Sequence, residues 1–190
     1  MMTIDNFYQD KLEINKSKFL SFAYPISSEK ICKEYLLDLK NKFSDATHIC
    51  YGYILSCPKI EKCSDDGEPS GTAGKPILEL LKKKKLENVL IAVVRYFGGK
   101  KLGAGGLIRA YTNSAKQVLD SANVVEFVSM KKCSTCVSLA SGDRTKKEIE
   151  ANGGKITSIK YSDVVRIEFQ IADIDNVPSH IICEVKSEDN

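Results

Sequence analysis

The spacing of apolar residues predicts alternating strands and helices over residues 1–128. Strands are expected where β-forming residues run between charged or turn-forming positions, and helices where apolar residues recur every three to four positions. The most apolar run, NVLIAVVRYF at residues 88–97, is the best candidate for a central buried strand. The other predicted elements are strands at residues 18–26 and 47–55 and helices at residues 28–43, 76–85 and 107–121.

A long polar segment at residues 57–75 interrupts this pattern. It contains three glycines and shows no regular spacing of apolar residues. Unstructured segments of this length are uncommon in compact domains and are usually functional or disordered. We therefore expect a loop here that serves a function.

The pattern restarts after residue 128 and predicts a second domain. A strand is expected at residues 132–140, a helix at 142–151, a hairpin of two strands at 155–161 and 164–171, and a last helix beginning near Pro178. This βαββα order is most of a ferredoxin-like βαββαβ plait. The sequence therefore predicts an α+β protein with domains at residues 1–128 and 131–190.

Composition adds modest constraints to this picture. The chain is 43% hydrophobic and 28% charged, as in ordinary globular proteins, and its net charge of +3 is too small to indicate indiscriminate nucleic-acid binding. It contains no apolar run of about 18 residues and begins with a polar, acidic stretch, so neither a membrane span nor a secretory signal is expected. We expect a cytoplasmic protein whose seven cysteines are reduced.

Two glycine-rich motifs contain eight of the 12 glycines. Motif 1 is DDGEPSGTAGKP at residues 65–76, and motif 2 is RYFGGKKLGAGGLIRAY at residues 95–111. Glycine is needed where φ is positive or where a backbone must approach another group closely. These motifs therefore predict either a surface that contacts a partner or a tightly folded connection.

Motif 2 is a candidate phosphate site. Neither motif matches the nucleotide-binding patterns G-x-x-x-x-G-K-[ST] or G-x-G-x-x-G. However, a buried strand followed by a glycine loop and a helix N-terminus at Leu107 forms a general anion site, and Arg95, Lys100, Lys101 and Arg109 would surround it. The alternative is a tight strand–helix connection whose basic side chains are solvated.

The acidic residues of motif 1 suggest a different chemistry. Clustered carboxylates such as Asp65, Asp66 and Glu68 can bind Mg²⁺, but their spacing matches no complete calcium-loop pattern. We expect Asp65 and Asp66 to cap turns and Glu68 to pair with a lysine or with Arg95. No metal or cofactor is predicted.

Two further candidates concern strand positions. Cys133 and Cys136 have redox-like spacing, but on a strand they face opposite sides, so we expect structural cysteines. In the strand at residues 47–55, His48 lies on the same face as Cys50. His48 is either a packing residue or part of a site.

Both motifs, without gaps, resemble the YigZ/IMPACT family, and the resemblance extends over essentially the whole chain. In motif 1 the matching positions are Asp65, Asp66, Gly67, Glu68, Pro69, Gly71, Thr72, Ala73 and Gly74. In motif 2 they are Arg95, Tyr96, Gly98, Gly99, Lys101, Leu102, Gly103, Gly105, Gly106, Leu107, Arg109 and Tyr111. His48 also stands where the family usually has a histidine.

The resemblance implies a fold. The N-terminal domain would be a two-layer α/β domain like the second domain of a small-subunit ribosomal protein and domain IV of elongation factor G. The C-terminal domain would be a ferredoxin-like plait. Eukaryotic IMPACT members regulate translation by binding an activator of a kinase of initiation factor 2α, but no match to their additional recognition domain occurs in these residues. That specific role is not transferred.

Three hypotheses about function follow. The preferred one is a non-enzymatic, translation-associated module that contacts RNA or ribosomal phosphate through the two motifs. The first alternative is a nucleotide-binding enzyme of the small-molecule-kinase fold class, in which Asp66 or Glu68 holds Mg²⁺ and Lys101 or Arg109 neutralises phosphate. The second is an adaptor for a protein partner in translation control.

Overall fold

The apolar run at residues 88–97 contains the central strand of the N-terminal unit, as predicted. In the computed structural model, which describes residues 1–128, 130–178, 180–181 and 183–185, the chain divides into units Met1–Phe127 and Val128–Asn190. The first unit contains β1 (Met2–Ile4), β2 (Tyr8–Ile14), β3 (Ser17–Pro25), α1 (Glu29–Lys42), β4 (His48–Ser56), β5 (Lys59–Ser64), α2 (Gly74–Lys83), β6 (Val89–Tyr96), α3 (Gly103–Asp120) and β7 (Val124–Glu126).

Five strands form an antiparallel sheet in the order β2-β3-β6-β4-β5. Residues 89–95 of β6 are all buried because neighbours flank this strand on both sides and helices cover both faces of the sheet. Strands β1 and β7 pair separately as a two-stranded ribbon. The position of β6 explains its continuous apolar sequence.

Helices cover both faces of this sheet. Helices α2 and α3 pack on one face around Phe19, Ile77 and Tyr111, whereas Leu39 of α1 packs on the opposite face against Phe22. The unit thus has three layers, one more than the two-layer arrangement that the resemblance implies. Strands β3, β4 and β6 carry apolar residues on both faces, so a helix is needed on the second face of the sheet as well.

Two predictions for this unit need correction. The segment at residues 57–75 is not entirely a loop, because β5 pairs with β4 along the edge of the sheet. The charged sequence KIEKCS concealed this strand, since exposed edge strands have no continuous apolar face. Helix α3 begins at Gly103 rather than near Leu107. Its buried face packs against β3 and stabilises a first turn whose glycines disfavour helix on their own.

The second unit has the strand order of the predicted plait. Its elements are β8 (Lys131–Val137), α4 (Gly142–Ala151), β9 (Lys155–Tyr161), β10 (Val165–Ile171) and β11 (Cys183–Val185), with 3₁₀ turns at Leu139–Ser141 and Ile174–Asn176. The sheet is antiparallel in the order β11-β8-β10-β9. The predicted α+β class is confirmed.

The last helix predicted in this unit is wrong. Near Pro178 the structure has a turn, and strand β11 follows it and pairs with β8. Pairing with the free edge of β8 supplies backbone hydrogen bonds that local sequence does not indicate. Among the described residues, none of the helices is long and apolar enough to cross a membrane.

Candidate functional site

The two motifs meet in a buried ion pair. The Arg95 guanidinium at the end of β6 donates to the Glu68 carboxylate, with Nη1 2.5 Å from Oε1. The same carboxylate oxygen accepts a hydrogen bond from the Tyr111 hydroxyl at 2.8 Å. The expected pairing of Glu68 with Arg95 is confirmed, and this pair joins motif 1 to both ends of motif 2.

The Arg95 side chain is enclosed on its remaining sides. Its guanidinium carbon lies 5.4 Å from the ring centre of Phe19 and 5.6 Å from that of Phe97. Its Nη2 donates to Ser17 Oγ at 3.4 Å, and that oxygen also accepts the Gly98 N–H at 3.1 Å. Arg95 thus connects β3 to motif 2, and it is unavailable to a ligand at the surface. The predicted role of Arg95 beside an anion is corrected accordingly.

The aspartates of motif 1 hold its loop together. The Asp65 carboxylate accepts the N–H groups of Gly71, Ala73 and Gly74 at 2.8–2.9 Å. Burial opposes ionisation of Asp65, but these hydrogen bonds outweigh it and lower its pKa from the ordinary value for an aspartate. Asp66 accepts the Ile49 N–H at 2.6 Å. The expectation that Asp65 caps a turn is confirmed, whereas the Asp66 carboxylate binds the backbone of β4 rather than a turn.

A thiol extends the cluster toward motif 1. Cys50 Sγ lies 3.0 Å from the Asp65 carbonyl oxygen and 3.3 Å from Tyr111 Oη. Burial is the main reason that the pKa of Cys50 rises to about 12, and burial likewise raises the pKa of Tyr111. Both groups therefore stay neutral and act as hydrogen-bonding partners.

His48 stands at the rim of this cluster. Its Nδ1 lies 2.7 Å from the Asp66 carbonyl oxygen, which assigns the proton to Nδ1 because a carbonyl only accepts. Its Nε2 lies 4.0 Å from Glu68 Oε1. His48 therefore binds the backbone of motif 1 and lies next to the buried carboxylate. Among the described residues, no group of three or more His, Cys, Asp or Glu side chains is arranged to hold a metal ion.

The exposed part of motif 2 lies at the start of α3. Lys100, Lys101 and Arg109 are exposed, and the helix begins without a side-chain hydrogen bond from the N-cap residue Leu102. We call Lys100, Lys101, Gly103, Gly105 and Arg109 the α3 entry surface. The unpaired N–H groups of a first helical turn carry partial positive charge.

Comparison with known proteins agrees with the motifs. The model of the Impact N-terminal domain matches residues 15–119, more than half of the chain. The IMPACT family member YvyE of Bacillus subtilis is 38% identical over 167 residues, which cover 87% of this chain and 77% of that protein. The chain belongs to the IMPACT family. The resemblance drawn from the motifs is thereby confirmed.

Other IMPACT proteins match shorter parts. YigZ of Escherichia coli is 36% identical over 110 residues, which cover 56% of this chain and 54% of that protein. Human Protein IMPACT is 31% identical over 114 residues, covering 57% of this chain and 35% of that protein. The crystal structure of a hypothetical protein shares the fold, with a TM-score of 0.73 at 23% identity, over 99% of this chain and 98% of that one.

The remaining motif residues of this IMPACT chain shape the backbone. Gly67, Gly71, Gly99 and Gly103 have positive φ values between 68° and 86°. The Pro69 carbonyl accepts the Thr72 hydroxyl at 2.6 Å. The Tyr96 hydroxyl donates a hydrogen bond to the Asp45 carboxylate at 2.8 Å. At Gly106, an added Cβ would lie 3.0 Å from the Cβ of Leu102.

Gly74 is required by close packing instead. An added Cβ there would lie 2.5 Å from the Ser64 carbonyl oxygen, so glycine lets α2 begin directly beside β5. Sequence reasoning missed the contribution of Ser17 and Phe19 to the Arg95 site. Neither position carries a local signal, because β3 reaches Arg95 only through the pairing of β3 with β6.

A groove between α2 and α3 was also missed. It encloses about 750 Å³ and has aliphatic walls at Pro76, Leu80 and Ile108. Lys83 and Lys116 also line it. The amphipathic spacing of both helices predicts their buried faces, but their distance from each other is set by packing on the sheet.

Proposed function

We propose that this IMPACT chain is a non-enzymatic, cytoplasmic binding module that contacts RNA or ribosomal phosphate groups through the α3 entry surface. The association with translation rests on the family, whose eukaryotic members regulate it. Motif 1 and the Arg95–Glu68 pair act beneath this surface and hold it in place. The proposal therefore assigns ligand contact to the exposed half of motif 2 only.

The observation that supports this proposal is the environment of Gly105. Its φ is not positive, and an added Cβ would meet no atom within 4 Å. Within a helix, glycine costs about 1 kcal/mol relative to alanine. Neither backbone conformation nor internal packing accounts for glycine here. Close approach of an external group to the backbone does account for it.

Charge at the same place fits an anionic partner. Phosphate oxygens can accept hydrogen bonds from the free N–H groups of a first helical turn, and the helix dipole favours negative charge there. Lys100, Lys101 and Arg109 add three positive charges, and none of them forms an ion pair with a described residue. A small number of phosphate contacts agrees with the modest net charge of +3.

Fluorescence anisotropy tests the proposal with a labelled 20-nucleotide RNA and with purified ribosomes. We expect the double variant Lys101→Ala/Arg109→Ala to weaken binding at least tenfold and to reduce its dependence on salt, because fewer counterions are released. The matched variant Lys30→Ala/Lys40→Ala removes two charges from α1 and should bind as the wild type does. Binding that is weaker than millimolar, or equal in both variants, would refute the proposal.

Gly105→Ala provides a second test of the same site. Alanine should raise the melting temperature through its higher helix propensity and weaken RNA binding through its added methyl group. A variant that is more stable and binds RNA unchanged would contradict the role of close backbone approach.

The α2–α3 groove favours a second candidate, an adaptor for a protein partner. Its aliphatic walls at Leu80 and Ile108 suit apolar side chains, and none of the described residues that line it is aromatic. Co-precipitation from lysate with and without nuclease separates the candidates. A partner retained after nuclease treatment and lost in Ile108→Glu would support the adaptor function.

A further inference from the structure

A second cationic surface surrounds Phe97 of motif 2. It is a cleft of about 610 Å³ lined by Lys11, Lys16, Lys18 and Phe97, together with Leu20, Asp45 and Tyr96. We call it the Phe97 cleft. None of its lysines was among the sequence-predicted site residues. Clefts of this volume are in the range that accommodates small ligands and single nucleotides.

The hairpin of β2 and β3 brings the lysines to this place. Asn15 and Lys16 at its turn have φ values of 50° and 66°, as a tight two-residue hairpin turn requires. An added Cβ at Gly98 would lie 2.1 Å from the Lys16 carbonyl carbon. The absence of a side chain at Gly98 therefore allows the hairpin turn to lie directly against motif 2.

The Phe97 ring contacts a buried side chain and is also partly exposed. The Arg95 guanidinium carbon lies 5.6 Å from its ring centre, and the Phe97 N–H donates to Thr47 Oγ1 at 3.0 Å. Phe97 nevertheless remains 46% exposed. Arg95 is itself fixed by Glu68. The buried ion pair thus supports an aromatic ring that remains partly exposed to solvent.

The charges in the cleft favour an anionic partner. Lys11, Lys16 and Lys18 form no ion pair with any residue that the structure describes. Asp45 is the acidic residue of the lining, and its carboxylate is engaged by the Tyr96 hydroxyl at 2.8 Å. An exposed ring beside lysines matches the pattern by which proteins bind single strands, with bases on rings and phosphates on cations.

From this arrangement we infer that the Phe97 cleft binds single-stranded RNA by stacking an unpaired base on the outer face of the Phe97 ring. Lys11, Lys16 and Lys18 contact the flanking phosphates. Bases within a duplex are already stacked on each other and cannot reach the ring. The inference rests on the proposed RNA-binding function and specifies the form of RNA. Because Lys100 follows Phe97 closely along the chain, one strand could pass from the cleft to the α3 entry surface.

The test compares a labelled, unstructured 12-nucleotide RNA with a 12-base-pair duplex of the same sequence. The single strand also contains one 2-aminopurine, whose fluorescence falls when the base stacks. We expect the wild type to prefer the single strand at least tenfold and to quench the 2-aminopurine. Phe97→Leu should lose roughly five- to tenfold in affinity together with the quenching, since one stacked base is lost.

Matched variants isolate stacking from apolar contact. Phe97→Tyr keeps the ring and should bind as the wild type does, and Leu37→Ala removes a similarly exposed apolar side chain from α1 and should have no effect. If Phe97→Leu fails to fold, Lys16→Ala/Lys18→Ala should weaken single-strand binding at least fivefold instead. These lysines are exposed, so the protein should remain folded.

The outcomes separate this inference from the proposed function. Equal binding by the wild type and Phe97→Leu, combined with weaker binding by Lys101→Ala/Arg109→Ala, would overturn the inference and leave the proposed function standing. Preference for the duplex would also overturn it. No RNA binding by the wild type would refute both.

Discussion

Glu68 and Arg95 form an ion pair in which the two side chains are only 4% and 5% exposed. These residues are 27 positions apart in the sequence, and each belongs to a different glycine-rich motif. Burial of this pair removes from the surface one of the four basic residues predicted at the anion site and one of the carboxylates considered for Mg²⁺. The motifs therefore form one structural unit that presents the α3 entry surface and the Phe97 ring.

Arg95→Met should destabilise the first unit by about 3–5 kcal/mol, because it leaves the Glu68 carboxylate buried without a counter-charge. Urea unfolding followed by tyrosine fluorescence would measure this loss. Seven of the eight tyrosines lie in the first unit, so the signal reports mainly on it. The double variant Glu68→Gln/Arg95→Met should lose less than the sum of the two single losses. Strict additivity would show that the two groups do not interact.

Tyr111→Phe should cost about 1–3 kcal/mol, since it removes a hydroxyl that donates to buried Glu68 and leaves that carboxylate with one donor fewer. The ring contact with Phe19, at 5.3 Å between centres, is retained. The same unfolding measurement checks this loss, with Tyr161→Phe in the second unit as the control. A change within 0.3 kcal/mol for Tyr111→Phe would contradict the assigned hydrogen bond.

Asp65→Asn should lower the free energy of unfolding at neutral pH. The free energy of unfolding of this variant should also change less than that of the wild type as the pH is lowered. Despite its burial, hydrogen bonds from three backbone N–H groups lower the pKa of Asp65 in the folded protein, so its ionised form stabilises the fold near neutral pH, and the contribution disappears as the pH falls through the lowered folded pKa. The stability difference between wild type and variant should therefore be largest at pH 6–7 and shrink below about pH 4. Urea midpoints between pH 2.5 and 7 would show it. A constant difference would contradict this assignment.

The cysteines should divide into two classes in alkylation by iodoacetamide at pH 8. Burial raises the pKa of both Cys32 and Cys50 to about 12, so these thiols should react at least about a hundredfold more slowly than Cys57 and Cys136, which are exposed. Peptide mass spectrometry over a time course measures the rates. In urea the difference should vanish. Fast labelling of Cys50 in the folded protein would show that the cluster opens readily.

Gly74→Ala and Gly105→Ala should change stability in opposite directions. The first places a Cβ 2.5 Å from the Ser64 carbonyl oxygen and should cost about 1–3 kcal/mol. The second adds a methyl group in open space and should stabilise by about 0.5–1 kcal/mol. Thermal unfolding of the two variants beside the wild type measures both. Equal effects would mean that glycine serves the same purpose in both motifs.

Much of the fold could be predicted from local sequence. Strand β6, helix α4 and the hairpin of β9 and β10 follow from apolar spacing, because each element buries a regular set of positions. Strands β5 and β11 could not be predicted in this way. Both are short pieces at sheet edges, where pairing with a neighbour supplies the stabilising hydrogen bonds.

The sequence by itself determined the family, the α+β class and the residues of the two motifs. These depend on the identity of each residue and on the local spacing of apolar residues along the chain. The sequence also placed His48 and Cys50 on one face of β4. Only the tertiary structure decided that Arg95 is buried, that Gly98 admits the β2–β3 turn, and that Lys16 and Phe97 line one cleft. Those relationships join residues far apart in the chain, and packing between elements, rather than any local preference, sets their distances.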